Sequence, residues 1–289
     1  MSGFTNFDRQ YRLSVGKAGS NGFEIGKKKT LHSSPLHINF SLQKSDLTTP
    51  NTGKIAIWNL NSEHLTVLNQ KNCVVALKAG YGNNLPLIFA GVVSFVTTQI
   101  DGCDRKTEIE VVDSLVATKN VFVSVSYKGT VNWKEIFDDT AKQMGVAISY
   151  SYNAVFSDIH NGFSYVGKAK SILDKGCDCC GLTWSIQNGV LQVKKPGDVM
   201  SKEVYKLSSD TGLVRIPSRV IVSEDEETGE SVMGWDVEFL LNGAINVDDY
   251  VYVDSLTVKG YFRVYSLEIQ GDNLSGDWMC KARLLEVKR

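Results

Sequence analysis

Apolar and polar residues alternate with a period of two over much of this sequence, and this pattern restricts the fold more than any other feature. In His37–Lys44, the apolar residues Ile38, Phe40 and Leu42 alternate with polar ones. Because successive side chains of a β-strand point to opposite faces, the pattern predicts a strand with one face on a core. Glycine and asparagine clusters separate four similar segments: Lys54–Leu60, Cys73–Ala79, Leu87–Thr98 and Lys106–Val112. Residues 10–115 are therefore expected to form an antiparallel barrel or sandwich.

A helical pattern begins near Thr130. Asn132 and Glu135 have the spacing of a capping box, and Gly145 is expected to end this helix. Its apolar stripe is Trp133, Ile136, Phe137 and Met144, with Lys134, Asp138 and Asp139 outside. A shorter helix is expected earlier in the chain, with Ser62 as its cap.

A second long helix is predicted over Ala169–Cys180, ended by Gly181. The dipeptide Asn188-Gly189 lies between two strand-like runs and predicts a two-residue hairpin turn. Helices and hairpin together indicate a small α+β domain.

The strand pattern returns after about Val204. The acidic run Ser223–Gly229 is expected to form a solvated hairpin loop, because it has no apolar face to bury. Four strands are predicted around and after it: Ser231–Leu240, Tyr250–Val253, Phe262–Ile269 and Asp277–Glu286. The predicted fold class is mainly β with an α+β insertion. Two antiparallel β-barrel or sandwich domains, 1–115 and 204–289, are expected to flank an α+β domain, 116–203.

Composition limits the function classes. Lys and Arg total 31 and Asp and Glu total 32, a net charge of −1, which argues against a dedicated nucleic-acid-binding protein. No apolar run reaches the length of a membrane helix, and the N-terminus lacks the apolar centre of a signal peptide. We therefore expect a cytosolic origin and six reduced cysteines.

Gly162–Ala169 nearly matches the phosphate-binding loop, but Ala169 stands where the motif needs a hydroxyl group for Mg²⁺. A plain turn into a helix is the favoured interpretation. Lys27-Lys28-Lys29 is expected to be a loop that is too short for specific nucleic-acid binding.

Cys177-Asp178-Cys179-Cys180 contains a C-x-x-C spacing. These cysteines fall at a predicted helix C-terminus, where the helix dipole opposes a thiolate, so core packing of Cys177 and Cys180 is favoured over redox chemistry. A zinc site would need a second pair, and Cys73, Cys103 and Cys280 are isolated. Asp138 and Asp139 are expected on a solvated helix face. No catalytic, cofactor-binding or metal-binding residue is therefore predicted.

The segment Gly234–Arg289 contains several short motifs in a characteristic order: Leu240-Leu241-Asn242, Gly260-Tyr261-Phe262-Arg263-Val264, Gly271-Asp272 and Asp277-Trp278. This order resembles the closing domain of bacteriophage tail-hub proteins of the Mu type. Gly243 and Asp248 stand where that family's pattern has proline and glycine, and Gln270 replaces another polar residue. The N-terminal third and the middle resemble the same family, so the resemblance spans nearly the whole chain.

The resemblance implies a structural role in a phage tail or a related contractile injection device. It implies two tail-tube-like β domains and a homotrimeric ring that adapts a sixfold tail tube, or distal tail protein, to a threefold spike. Other baseplate (wedge) proteins would contact the ring, and the tape-measure protein and DNA would pass through its channel without specific binding. The expected location is the virion baseplate, after assembly in the host cytoplasm.

Two other classes remain open on the residues alone. A carbohydrate- or receptor-binding tail module would use a groove of exposed aromatic residues, and a cell-wall hydrolase would use catalytic residues that are distant in sequence. The sequence ends at Arg289, directly after the last predicted strand. We therefore expect puncturing and wall-cutting activities to belong to separate proteins.

Overall fold

The computed structural model describes residues 8–17, 22–26, 35–113, 121–201, 203–224 and 231–287. Contacts divide the chain into two compact units. The first consists of the described residues of Met1–Asp46, Asn51–Val112 and Glu203–Arg289, and the second contains Leu47–Pro50 with Asp113–Lys202. The second unit is thus an insertion in the sequence of the first.

The described residues at the start of the first unit form seven strands and one helix. The strands are β1 (Arg9–Gly16), β2 (Phe23–Ile25), β3 (Ile38–Ser45), β4 (Thr52–Trp58), β5 (Val74–Tyr81), β6 (Leu87–Asp101) and β7 (Asp104–Val112), with helix α1 (Ser62–Leu68) between β4 and β5. Burial follows the predicted alternation, since Ile38, Phe40 and Leu42 are buried on one face of β3.

The cap of α1 differs from the prediction. The Asn61 side chain accepts a hydrogen bond from the His64 N–H, so Asn61, not Ser62, caps this helix.

The second unit is a small α+β structure with its own core. Its elements are β8 (Phe122–Tyr127), β9 (Val131–Asn132), α2 (Trp133–Met144), β10 (Ala147–Tyr150), β11 (Asp158–Ile159), β12 (Phe163–Lys168), α3 (Ala169–Cys180), β13 (Thr183–Gln187) and β14 (Val190–Lys194). Asn132 and Gly145 cap α2 as predicted, and α3 has the predicted bounds. Asn188 and Gly189, both at positive φ, form the predicted turn, and the Asp113 carboxylate accepts hydrogen bonds from both of their N–H groups.

The last part of the chain returns to the first unit. It contains β15 (Val204–Ser208), a short 3-10 helix (Ser209–Thr211), β16 (Ser218–Glu224), β17 (Ser231–Leu240), β18 (Tyr250–Asp254), β19 (Lys259–Asp272) and β20 (Trp278–Glu286). β16 and β17 pair in antiparallel orientation, as the predicted hairpin requires. The centre of the predicted acidic loop and the Lys27–Lys29 run lie outside the described residues.

Thirteen strands of the described first unit form one branched sheet, and one hydrophobic core contains residues from both β-rich segments. The main path is β16-β17-β20-β19-β3-β4-β7-β6-β5-β1-β2, and β18 joins β15 to β19. The expectation of a mainly β architecture is thus confirmed at the level of fold class, although β15 and β18 pair in parallel. The division into two tube-like domains stays a prediction.

β19 is the strand where the two β-rich segments meet. Its first residues, Lys259–Arg263, pair with β18, whereas Ser266–Asp272 pair with β3 on the same side. β20 pairs along the other side, with a register shift between Val264 and Ser266. β18 and β3 therefore diverge from β19 like the arms of a fork.

A substitution at Gly271 of β19 tests how closely β3 and β19 pack. A Cβ added to Gly271 would lie 2.2 Å from the Phe40 ring, so Gly271→Ala is expected to lower the free energy of unfolding by about 2 kcal/mol or more. Urea unfolding measures this loss. Gly260→Ala in the same strand is the control, because its Cβ would meet only Phe262, at 3.6 Å, and its effect should stay within about 0.5 kcal/mol. Equal losses in both variants would contradict the argument.

Candidate functional site

A buried charged cluster fills the fork between β18 and β3. The guanidinium of Arg263 contacts Asp46 at 2.7 Å and Asp248 at 2.6 Å, and all three side chains are nearly excluded from solvent. Asp46 directly follows β3, and Asp248 precedes β18. Arg263 therefore ties the first β-rich segment to the last one at the point where their strands separate. Buried ion pairs of this kind depend on both partners, because an uncompensated buried charge is costly.

Asp248 has an unusual backbone conformation, with φ at +69°. This left-handed region favours glycine, which is the residue that the tail-hub pattern has here. The carboxylate of Asp248 accepts the hydrogen bond from Arg263, which a glycine would not provide. The departure from the family pattern thus exchanges backbone freedom for an ion pair.

Burial lowers the pKa of the Arg263 guanidinium, but the hydrogen bonds and charges of Asp46 and Asp248 outweigh it, so the net shift of the pKa is upward. For Asp249, burial has the larger effect on the pKa. Burial raises the pKa of Asp249 to about 6, and the neighbouring charges of Asp248 and Glu203 act in the same direction. The N–H of Asn246 and the nearby Lys44 only partly offset this rise.

A second group of polar contacts lies at the other end of the β3–β19 pairing. Asp272 contacts His37 Nε2 at 2.9 Å, and the Asn39 amide donates to the same carboxylate oxygen at 3.4 Å. Its other oxygen accepts from the N–H groups of Leu274 and Ser275. Burial raises the pKa of Asp272, but these hydrogen bonds lower it further than burial raises it. Arg263 and Gly271-Asp272, which belong to two of the sequence motifs, therefore lie at the two ends of the pairing between β3 and β19.

The other face of this sheet is polar. Across β17, β20, β19, β3, β4 and β7, the outward side chains include an amide and hydroxyl centre: Asn39, Ser41, Gln43 and Gln270. On either side of that centre, lysines pair with carboxylates: Lys281–Asp236 at 3.3 Å, Lys54–Glu110 at 3.4 Å and Lys106–Glu108 at 2.6 Å. We call this surface the polar face. It is formed jointly by both β-rich segments.

The phosphate-loop candidate does not have the geometry of a nucleotide site. Phe163–Lys168 is a strand paired with β8 rather than a loop around an anion, and α3 begins at Ala169 without a side-chain cap. The expectation of a plain turn is therefore wrong, because the segment extends into a β-ribbon.

The cysteine motif lies at the end of α3, as predicted. Cys177 is buried in the core of the second unit, Cys180 packs partly against it, and Cys179 is exposed. Burial raises the pKa of the Cys177 thiol to about 12, with Cys180, Asp174 and Asp178 acting in the same direction. These surroundings disfavour a reactive thiolate.

Asp138 and Asp139 do not face each other as an acid–base pair would. Asp138 accepts a hydrogen bond from Tyr150, and Asp139 accepts one from Tyr127, so each holds a neighbouring strand to α2. Within the described residues, no three His, Cys, Asp or Glu side chains form a group suited to a metal ion. The same residues contain no helix that is long and apolar enough to cross a membrane.

No protein-family model matches the sequence, and no curated protein matches it. Solved structures do match. A 43 kDa tail protein of prophage MuSo2 from Shewanella oneidensis has a TM-score of 0.61 at 8% identity, over 96% of this chain and 98% of that one. A tail protein from Neisseria meningitidis has a TM-score of 0.62 at 11% identity, over 96% and 97%.

A component of the E. coli type VI secretion system, which is structurally similar to tail proteins of bacteriophage T4, has a TM-score of 0.60 at 8% identity. That likeness covers 91% of this chain and 76% of the other. The chain therefore has the fold of phage tail proteins over nearly its whole length, which confirms the resemblance seen in the sequence.

Removing the cation of the charged cluster should destabilise the protein strongly. Arg263→Met removes the cation that contacts the buried Asp46 and Asp248 carboxylates and should cost about 3–5 kcal/mol in chemical unfolding. Arg219→Met is the control. Its ion pair with Glu286 is about half exposed, so its loss should stay within about 1 kcal/mol. A loss below that of the control would show that the cluster does not hold the fork together.

Asp249 should make stability depend on pH. Because its folded pKa of about 6 exceeds its ordinary value of 3.8, the folded state binds the proton more tightly, and this stabilisation is lost as the pH rises through 6. Relative to an Asp249→Asn chain, the native chain should lose up to about 3 kcal/mol between the two values. Unfolding measured across this pH range checks the difference, and parallel curves for the two chains would contradict it.

Proposed function

We propose that this chain is a non-enzymatic structural hub of a phage tail baseplate. Three copies form a ring that adapts the sixfold tail tube, or a distal tail protein, to a threefold spike and forms part of the channel. Two β-rich segments in each chain supply six similar edges per ring, which matches a sixfold partner. The spike, the other baseplate proteins and the tape-measure protein are its proposed partners, and the assembled virion tail is its proposed location.

The polar face is the observation that supports this proposal best. A channel for DNA must not hold phosphates, and unpaired lysines and arginines are the groups that bind them. On this face Lys54, Lys106 and Lys281 each pair with a carboxylate, so a phosphate would have to compete for them, and the exposed Arg283 lies opposite Asp236 in the β17–β20 pairing. Neutral amides and hydroxyls lie between these pairs. We therefore assign the polar face to the channel wall.

The alternative of a carbohydrate-binding module has less support. Among the described residues, the most exposed aromatic side chains are on separate elements: Phe95 on β6, Phe122 on β8, Tyr152 after β10 and Tyr261 on β19. Tyr261 has a neighbouring ring, Tyr252, at 4.9 Å between centroids, but a sugar-binding groove would need several such rings on one surface.

Mass in solution and imaging test the proposed ring. Light scattering of the purified chain should give three times the chain mass of 31.9 kDa, and electron microscopy should show rings with an open centre. A monomer at every concentration, or a glycan-array signal without ring formation, would contradict the proposal and favour the binding module.

Removing carboxylates from the polar face should free its lysines to bind DNA. In the double variant Glu108→Gln and Glu110→Gln, Lys106 and Lys54 lose their carboxylate partners, so the ring should acquire salt-sensitive DNA binding. Electrophoretic mobility shift at low and moderate salt measures it. Glu286→Gln, which releases Arg219 at a distance from this face, is the control and should not bind DNA.

A further inference from the structure

Asp249 is a buried carboxylate that has no ion pair within the described residues. It follows Asp248 directly, and both lie at the end of the β17–β18 loop, where the loop enters β18. The carboxylate of Asp249 accepts one hydrogen bond, from the N–H of Asn246 at 2.8 Å. Arg263 instead contacts Asp46 and Asp248. Burial beside one neutral donor favours the protonated form of a carboxylate.

The charged groups that face Asp249 are mostly negative. Burial is the largest cause that raises the pKa of Asp249, and the carboxylates of Asp248 and Glu203, which precede β18 and β15, act in the same direction. Lys44 of β3 is the cation that lowers this pKa, and Tyr205 of β15 also faces Asp249. Loss of the proton therefore places a negative charge where the surroundings are both buried and largely negative.

The backbone of the same two residues joins the end of this loop to β19. The N–H of Asp248 donates to the carbonyl of Val264 at 2.9 Å, and the N–H of Val264 donates to the carbonyl of Asp249 at 3.1 Å. Both bonds lie at the fork, beside Arg263. A charged Asp249 carboxylate regains water only if its segment moves away from β19, and this movement breaks both hydrogen bonds.

Core packing on either side limits how far such a movement extends. Ile245 and Val247 in the loop and Val251 and Val253 in β18 are almost completely buried in the core of the first unit. Moving them would expose apolar area and would be costly. Opening is therefore confined to the residues between them, 248–250, and does not need the rest of the unit to unfold.

We propose that Asp249 is a proton-dependent switch at the fork. When its carboxylate loses the proton, residues 248–250 separate from β19 more often, while the rest of the first unit stays folded. In acid, the neutral side chain stays buried and the start of β18 stays paired. The two β-rich segments are then joined more firmly in acid than at neutral pH. This inference is independent of the proposed ring, because every group in it belongs to one chain.

Hydrogen exchange of the full chain at pH 5 and pH 7.5, corrected for the intrinsic exchange rate, tests the switch. The protection of the Asp248 and Val264 N–H groups is compared between the native and Asp249→Asn chains. Because the folded pKa of about 6 exceeds the ordinary 3.8, the stabilisation is complete below 3.8 and is lost as the pH rises through 6. The ratio of native to variant protection should therefore fall about tenfold between the two pH values.

Asp254→Asn is the matched control in the same strand. Hydrogen bonds from Lys259 and Lys206 lower the pKa of Asp254, so it is ionised at both pH values, and this variant should keep the pH dependence of the native chain. The N–H groups of Ile55 and Ile109, which lie opposite each other in β4 and β7, report on global unfolding. At pH 7.5 they should be protected more strongly than those at the fork.

Two results would overturn the switch. One is an equal pH dependence of protection in the native and Asp249→Asn chains, which would show that another group takes up the proton. The other is equal protection at the fork and in β4 and β7, because the fork would then open only when the whole unit unfolds.

Discussion

Pairing between β3 and β19 is the contact on which the rest of the first unit depends. These strands are more than 200 residues apart in sequence, and the second unit is inserted between them. Their pairing joins two β-rich segments into one sheet, so that a single hydrophobic core forms beneath both. Closing so long a loop costs conformational entropy, and buried apolar area together with interstrand hydrogen bonds must offset that cost.

Polar contacts at the two ends of this pairing explain why its register is specific. Arg263 holds the end of β3 and the start of β18 where they diverge, and Asp272 holds His37 and Asn39 at the far end. Between them, the Phe40 ring packs directly against the backbone of Gly271, because glycine has no Cβ. A slip of one residue would place charged side chains in the core and would separate these partners. Arg263, Gly271 and Asp272, which hold the two segments together, thus belong to the motifs that resemble tail-hub proteins.

The proposed function follows from surfaces rather than from a pocket. The polar face carries paired charges and neutral amides, which suits a wall along which DNA slides. This face belongs to a single sheet that both β-rich segments build. The buried charged cluster contributes indirectly, because it keeps the two halves of that sheet in register.

Local elements of this protein were predictable from its sequence. The bounds of α3 and β17, the caps of α2 and the Asn188-Gly189 turn all depend on residues close to one another in the chain, so their physical causes are visible there. The prediction was wrong at Gly162–Ala169. A turn was expected there, but most of the segment is a strand because it pairs with β8. The cap of α1 was misplaced by one residue, since Asn61 and Ser62 are both good caps and only the backbone path chooses between them.

The sequence by itself determined the main strands of the two β-rich segments, the inserted α+β segment and the resemblance to phage tail proteins. Tertiary structure alone decided that β3 pairs with β19 and that Arg263 meets Asp46 and Asp248. The physical reason is the distance along the sequence over which each interaction acts. Alternation and capping act over a few residues, whereas strand partners and buried ion pairs are chosen by which distant segments can share a core.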